Sequence, residues 1–128
     1  MLITNENKAE VGLCLYLAGA DGDVSAEELT ELREKIRTMA EKGTSDGILD
    51  TLVDAERGEI DEQGRPAYLA KLKDRIEASR REPALRAAVD VAFADVLTVE
   101  EDRCVREVVK ALGLEAKLAD ELAGPAIG

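Results

Sequence analysis

The chain has 128 residues with one Phe, two Tyr and no Trp, so its core must be built from Leu, Val, Ile and Ala. That favours close-packed helices over an aromatic-rich sandwich and leaves room for one domain over residues 1–128. Lys and Arg number 17 against 28 Asp and Glu, a formal net charge of −11, which excludes phosphate backbones as natural partners; the absence of histidine removes the usual general base, the Ser-His-Asp and Cys-His nucleophile systems and the commonest zinc ligand.

Apolar spacing predicts a first helix from Asn7 to Ala20, with Val11, Cys14, Leu15 and Ala18 on one face, stopping at the Asp21-Gly22 turn. Ser25 followed by Glu28 forms a capping box that opens a second helix, whose apolar face runs through Leu29, Leu32, Ile36, Met39 and Ala40 until Gly43. A third helix fits Ser45 to Glu56 through Ile48, Leu49, Leu52 and Val53, and the polar run Arg57 to Gly64 reads as a loop. Pro66 suits the first turn of a fourth helix reaching Arg80 and carrying Tyr68, Leu69, Leu72 and Ile76 inward. A lone Tyr on such a helix is expected to bury its ring and leave its hydroxyl wet.

Pro83 opens a fifth helix containing Leu85, Ala88, Val89, Ala92 and Phe93. Thr98 and Glu101 repeat the capping box before Val105, Val108, Val109 and Leu112, and Gly113 ends that sixth helix. A short seventh, Glu115 to Ala123, precedes a Gly-Pro tail expected to fray. No stretch alternates with period two for long enough to compel a strand, so the expected class is all-α, a compact bundle of about seven helices.

The stretch Ala18 to Leu29 reads as half of a calcium loop. Gly22, Val24 and Glu28 fall on the sixth, eighth and twelfth positions of an EF-hand loop, but the first and third would be Leu17 and Gly19, which carry no side-chain oxygen. A complete EF-hand cage therefore cannot form. Val11 to Asp21 also lines up with Leu85 to Asp95, both ending in Ala-Asp, and Ser25, Glu28, Leu32, Ile36 and Met39 match Thr98, Glu101, Val105, Val109 and Leu112. One residue is missing from the second turn, and Val96 or Leu97 replaces its glycine. These are two pseudo-repeated helical hairpins with the middle helices between them.

Acid is concentrated from Asp21 to Glu62, where 14 acidic residues face 5 basic ones. Asp46, Asp50, Asp54 and Glu56 lie on or near one face of the third helix, and like charges at that spacing repel unless a cation, a basic partner or solvent screens them. A solvated face is the preferred reading, and Glu59, Asp61 and Glu62 in the following loop read the same way. Cys14 and Cys104 each sit in an apolar helical stretch with no C-x-x-C spacing, which favours buried reduced thiols over a disulfide or a zinc site. No basic-then-apolar leader and no span-length apolar run occurs, so the expected location is cytoplasmic, without membrane insertion.

The motif Ala-Asp-Gly-x-Val-Ser-x-Glu-Glu at Ala20 to Glu28, the second Ala-Asp turn at Ala94 to Glu101 and the closing Leu112-Gly113-Leu114 together resemble the TerB-like tellurite-resistance family. The resemblance implies a bundle of about seven helices whose turn acids bind a metal cation in a bacterial tellurite, metal or stress response, with no common enzymatic activity. Carried over position by position, the implied ligands are Asp21, Asp23, Glu27 and Glu28 from the first turn, and Asp95, Glu100 and Glu101 from the second. Paired carboxylates on a tight turn suit Ca2+ or Mg2+ better than soft metals. Two local roles compete: Asp21 can serve ordinary Asp-Gly turn chemistry, and Glu28 can be spent on its capping box. The expected function is thus a non-enzymatic cation-binding module. The alternative is an interaction or scaffold module docking a basic protein partner through its acidic hairpins, without metal; a carboxylate-dependent enzyme is a third and disfavoured class.

Overall fold

The computed structural model describes residues 5–20, 26–39, 46–93 and 98–123. Seven helices and no strand occur among them: α1 Asn5–Ala18, α2 Ala26–Met39, α3 Asp46–Gln63, α4 Arg65–Arg75, α5 Ala78–Ala92, α6 Val99–Ala111 and α7 Ala116–Ala123. The all-α expectation holds. Gly43, Ser45, the second-turn residues Val96 and Leu97 and the Gly-Pro tail lie outside the described residues.

Helix α1 is fully buried from Val11 to Leu17, with Val11, Leu13, Cys14, Leu15, Tyr16 and Leu17 all in the core. It packs most extensively on α5 and α3, with further contact to α4 and α6. A helix segment apolar all round belongs inside a bundle, and α3, α4, α5 and α6 surround it with amphipathic faces. Leu72 of α4, Leu85 and Ala88 of α5, and Val105 and Val108 of α6 turn inward on it, while Leu32 and Ile36 of α2 join the same core where α2 packs on α3 and α5. Each fully buried Leu or Val contributes about 1.5–3 kcal/mol relative to exposure, so this sheath of branched aliphatics supplies the main driving force. Short α7 packs on α6 with Leu118 and Ala119 buried, and Arg106 of α6, braced by Asp102 of the same helix, ties it down through Asp120.

Helix α1 is shifted by two residues from the expected Asn7 to Ala20, and three boundaries differ by more. Residues 57–63 continue α3 where a loop was expected, because Glu, Arg and Gln are good helix formers and Ile60 extends the inward face of Leu49, Leu52 and Val53. The helix ends only at Gly64, whose φ of 86° no side-chain-bearing residue adopts cheaply. Helix α4 stops at Arg75 instead of Arg80, since Ile76 is extended at φ −119° and ψ 125°. Arg81 then reaches back to donate to the Lys73 and Ile76 carbonyls, satisfying acceptors that the helix end leaves open. Helix α5 starts at Ala78, and Pro83 lies inside it instead of opening it. Pro83 is exposed, so the carbonyl that loses its partner there can be hydrated.

The sixth helix follows its sequence signals closely. Thr98 Oγ1 accepts from the Glu101 amide at 3.1 Å and Glu101 Oε1 accepts from the Thr98 amide at 2.8 Å, a complete capping box. At the other end Leu114 N–H bonds the Val109 carbonyl and Gly113 N–H bonds the Lys110 carbonyl, the paired closure of a Schellman turn.

Both cysteines are free and buried, as their apolar surroundings implied. Burial, with the charge of Glu10 adding to it, pushes the Cys14 thiol from 9.0 up to about 12. A thiol neutral in the fold but ionised in the unfolded chain makes stability fall as pH rises above 9.0 towards 12, by about 1.4 kcal/mol per pH unit. We expect the urea midpoint to drop between pH 9 and pH 10, with a shallower drop in Cys14→Ala; equal slopes in the two proteins would contradict the assignment.

Candidate functional site

The first acidic turn begins where α1 runs out. Gly19 N–H still bonds the Leu15 carbonyl, and Ala20 N–H bonds the Leu17 carbonyl in a tighter turn, so the chain is helically wound up to Ala20. Asp21, Asp23 and the cap residue Ser25 lie outside the described residues. Helix α2 resumes at Ala26, with Glu27 exposed in its first turn and Glu28 beside it; the Glu28 side chain lies outside the described set, and with it the Ser25–Glu28 capping box.

At the second turn Asp95 also lies outside the described residues, and so does its separation from Asp21. Glu100, Glu101 and Asp102 crowd the first turn of α6. Their tasks differ. Glu101 spends Oε1 on the Thr98 amide, Asp102 accepts from Arg106 at 3.0 and 3.2 Å, and Glu100 is exposed. Among the described residues no three Asp, Glu or Cys side chains gather into a cage. The available donors at both turns are carboxylate oxygens, with the two thiols buried in helices, and such a donor set fits a hard cation.

Of the acids expected on one face of α3, the side chain of Asp46 lies outside the described residues, and the other three divide between two faces. Asp50 and Asp54 are exposed and face Arg33 of α2, at 3.6 and 3.0 Å, so a basic residue of the same chain offsets part of their charge. Such surface pairs contribute at most about 1 kcal/mol. Glu59, Asp61 and Glu62 are exposed on the last two turns of the helix, not in a loop. Glu56 points the other way, 4% exposed, between Val53 and Ile60 on the inward face.

Glu56 was expected to be solvated, but it anchors a buried polar cluster. Its Oε1 accepts from the Tyr68 hydroxyl at 2.6 Å and from Arg75 Nη1 at 2.8 Å, and its Oε2 accepts from Arg75 Nη2 at 3.3 Å. The carboxylate has a bidentate cationic partner and a hydroxyl donor, which compensates its removal from water. The Tyr68 hydroxyl is therefore dry, contrary to expectation. Burial and then the hydrogen bond to Glu56 hold its phenol well above the ordinary value of 10.0. Burial alone would depress Arg75, but its hydrogen bonds and charge contact with Glu56 outweigh that and raise it.

Gly12 of α1 makes room for this cluster. A Cβ there would stand 1.7 Å from the Tyr68 hydroxyl and 2.8 Å from Glu56 Oε1. One turn further along α1, Tyr16 stacks on Tyr68 with ring centroids 6.5 Å apart, and the Arg65 guanidinium covers the Tyr16 ring at 3.9 Å. Arg65 also donates to the Tyr16 carbonyl at 2.8 Å and approaches Cys104 Sγ at 3.6 Å. Sequence reasoning missed this cluster, although one signal was present: a glycine inside an otherwise apolar helix sacrifices about 0.5–1 kcal/mol relative to alanine, which marks a close approach.

No curated protein and no solved structure matches the chain. The model of one family, described as tellurite resistance protein TerB, matches residues 7–122. That span takes in both acidic turns, the capping box of α6 and the whole Gly12–Glu56–Tyr68–Arg75 cluster, and on it the chain belongs to the TerB family.

Proposed function

We propose that this TerB-family chain is a non-enzymatic, acidic module that binds a divalent cation, Ca2+ or Mg2+, in the cytoplasm as part of a bacterial tellurite, metal or stress response. The observation that carries the reading is the family match across both acidic turns. The chemistry of the donors supports it: the acids at the turns offer only oxygen, and the chain has no imidazole. Asp21, Asp23, Glu27 and Glu28 are the primary ligands of the proposal. Asp95 and Glu101 are secondary, since Glu101 already gives one oxygen to its helix cap. Among the described residues no helix is long and apolar enough to cross a membrane, in keeping with a module that works away from the bilayer.

Calorimetric titration tests the proposal. Wild-type protein should take up Ca2+ or Mg2+ with saturable heat, and Asp21→Asn should weaken that binding at least about tenfold, the loss of about 1.4 kcal/mol or more expected of a charged ligand. No saturable heat with either ion at millimolar concentration would overturn it. A second reading, metal-free docking of a basic protein, draws on the exposed Glu59, Asp61 and Glu62 of α3. It requires binding of a lysine-rich peptide that weakens with salt and ignores a chelator.

A further inference from the structure

We propose that Arg65 and Tyr68 of α4 are positioning residues that fix the register of α1 and so the point, Ala20, from which the first acidic turn departs; the functional meaning of that register rests on the cation reading above. Arg65 and Tyr68 stand three residues apart and Gly12 and Tyr16 four apart, so each pair occupies one helix face. The contacts cross: Arg65 meets Tyr16, and Tyr68 meets Gly12. Helix α4 therefore runs antiparallel to α1 and holds it at two points about one turn apart.

The Tyr68 contact admits a single register. Only a residue without Cβ fits beneath the hydroxyl, where a Cβ would stand at 1.7 Å. Sliding α1 by one residue would bring Val11 or Leu13 there, and sliding it by a turn would bring Lys8, Ala9, Leu15 or Tyr16. None fits. Because the hydroxyl donates to Glu56, which Arg75 holds in place, the tyrosine cannot swing aside without losing a buried hydrogen bond to a fixed carboxylate.

The Arg65 contact works at the helix end. Of the last carbonyls of α1, that of Leu15 takes the Gly19 amide and that of Leu17 takes the Ala20 amide. The Tyr16 carbonyl takes Arg65 instead. A guanidinium on a terminal carbonyl both satisfies the acceptor and complements the negative end of the helix. From Gly12 the helix runs to Ala18, about 9 Å at 1.5 Å per residue, and the Gly19 and Ala20 amides stay bonded to its last turn, so a register set at Gly12 and Tyr16 is passed to the start of the acidic turn.

The experiment compares wild type with Arg65→Met, Tyr68→Phe and a control, Leu118→Ala, which empties a buried position on α7 away from α1. Amide hydrogen exchange is read at Gly19 and Ala20 relative to the helix interiors, and Ca2+ binding is measured by titration. We expect exchange at Gly19 and Ala20 to rise at least tenfold in Arg65→Met and severalfold in Tyr68→Phe. Leu118→Ala should move those amides no more than the rest of the molecule, and Ca2+ affinity should fall at least fivefold in the two α4 variants only. Exchange at Gly19 and Ala20 that follows the control overturns the positioning role, whatever calcium does. Wild type that binds no calcium defeats the cation reading, and exchange alone then decides the register. Raised exchange with undiminished affinity in a wild type that binds overturns the link between register and ion.

Discussion

Gly12→Ala should lower the melting temperature by about 10 °C, the equivalent of about 3 kcal/mol in a domain of this size. Elsewhere in a helix the same change would stabilise, since alanine is favoured over glycine by about 0.8–1 kcal/mol. Here the added methyl would lie 1.7 Å from the Tyr68 hydroxyl. The ring cannot retreat, because it is stacked on Tyr16 and bonded to Glu56. The overpacking cost must therefore exceed the propensity gain. Tyr68→Phe on its own removes one hydrogen bond to a charged acceptor and should cost about 1.5 kcal/mol. Combined, the two changes should cost less than their sum, since without the hydroxyl the nearest remaining atoms are Glu56 Oε1 at 2.8 Å and the ring carbon that bore the hydroxyl at 3.0 Å. Thermal melts of the four proteins check the cycle; strict additivity would mean that the clash is not with the hydroxyl.

Removing the charge of Glu56 should be as damaging. Glu56→Leu leaves Arg75 half-buried without its counter-ion and the Tyr68 hydroxyl without an acceptor, a loss of about 3–4 kcal/mol. Removing the partner as well should help. Glu56→Leu with Arg75→Met replaces an ion pair by apolar side chains of similar length, and about half of the loss should return, the remainder being the Tyr68 hydroxyl left unpaired. Urea unfolding measures both. A double variant no more stable than Glu56→Leu would show that Arg75 is well solvated once its partner is gone and that the pair contributes little.

Much of the fold was legible because local signals agreed with the tertiary structure. The Thr98–Glu101 box and the Lys110–Leu114 turn bound α6 where residue types alone placed them. The errors have a common cause. Residues 57–63 read as loop because the run is polar, with Ile60 its one large apolar residue, and the charge of Glu56 before it becomes interpretable as inward-facing only when Arg75 and Tyr68 of the next helix come into view. Pro83 read as a helix start, yet the three-dimensional cap that ends α4 comes from Arg81, which pulls the start of α5 back to Ala78. The candidate ligands divide similarly. Glu27, Glu100 and Glu101 could be placed on first helical turns from capping logic, whereas any meeting of Asp21 with Asp95 depends on packing between α1, α2, α5 and α6, which no local spacing encodes.

The most direct test of the account is a Ca2+ titration followed by backbone amide resonances of the wild-type protein. It predicts saturable shifts at Gly19, Ala20, Glu27 and Glu28, with smaller ones at Thr98 to Glu101 and none in α7, all needing at least about tenfold more Ca2+ in Asp21→Asn. Uniform small drifts without saturation, or shifts centred on Glu59 to Glu62 of α3, would contradict it.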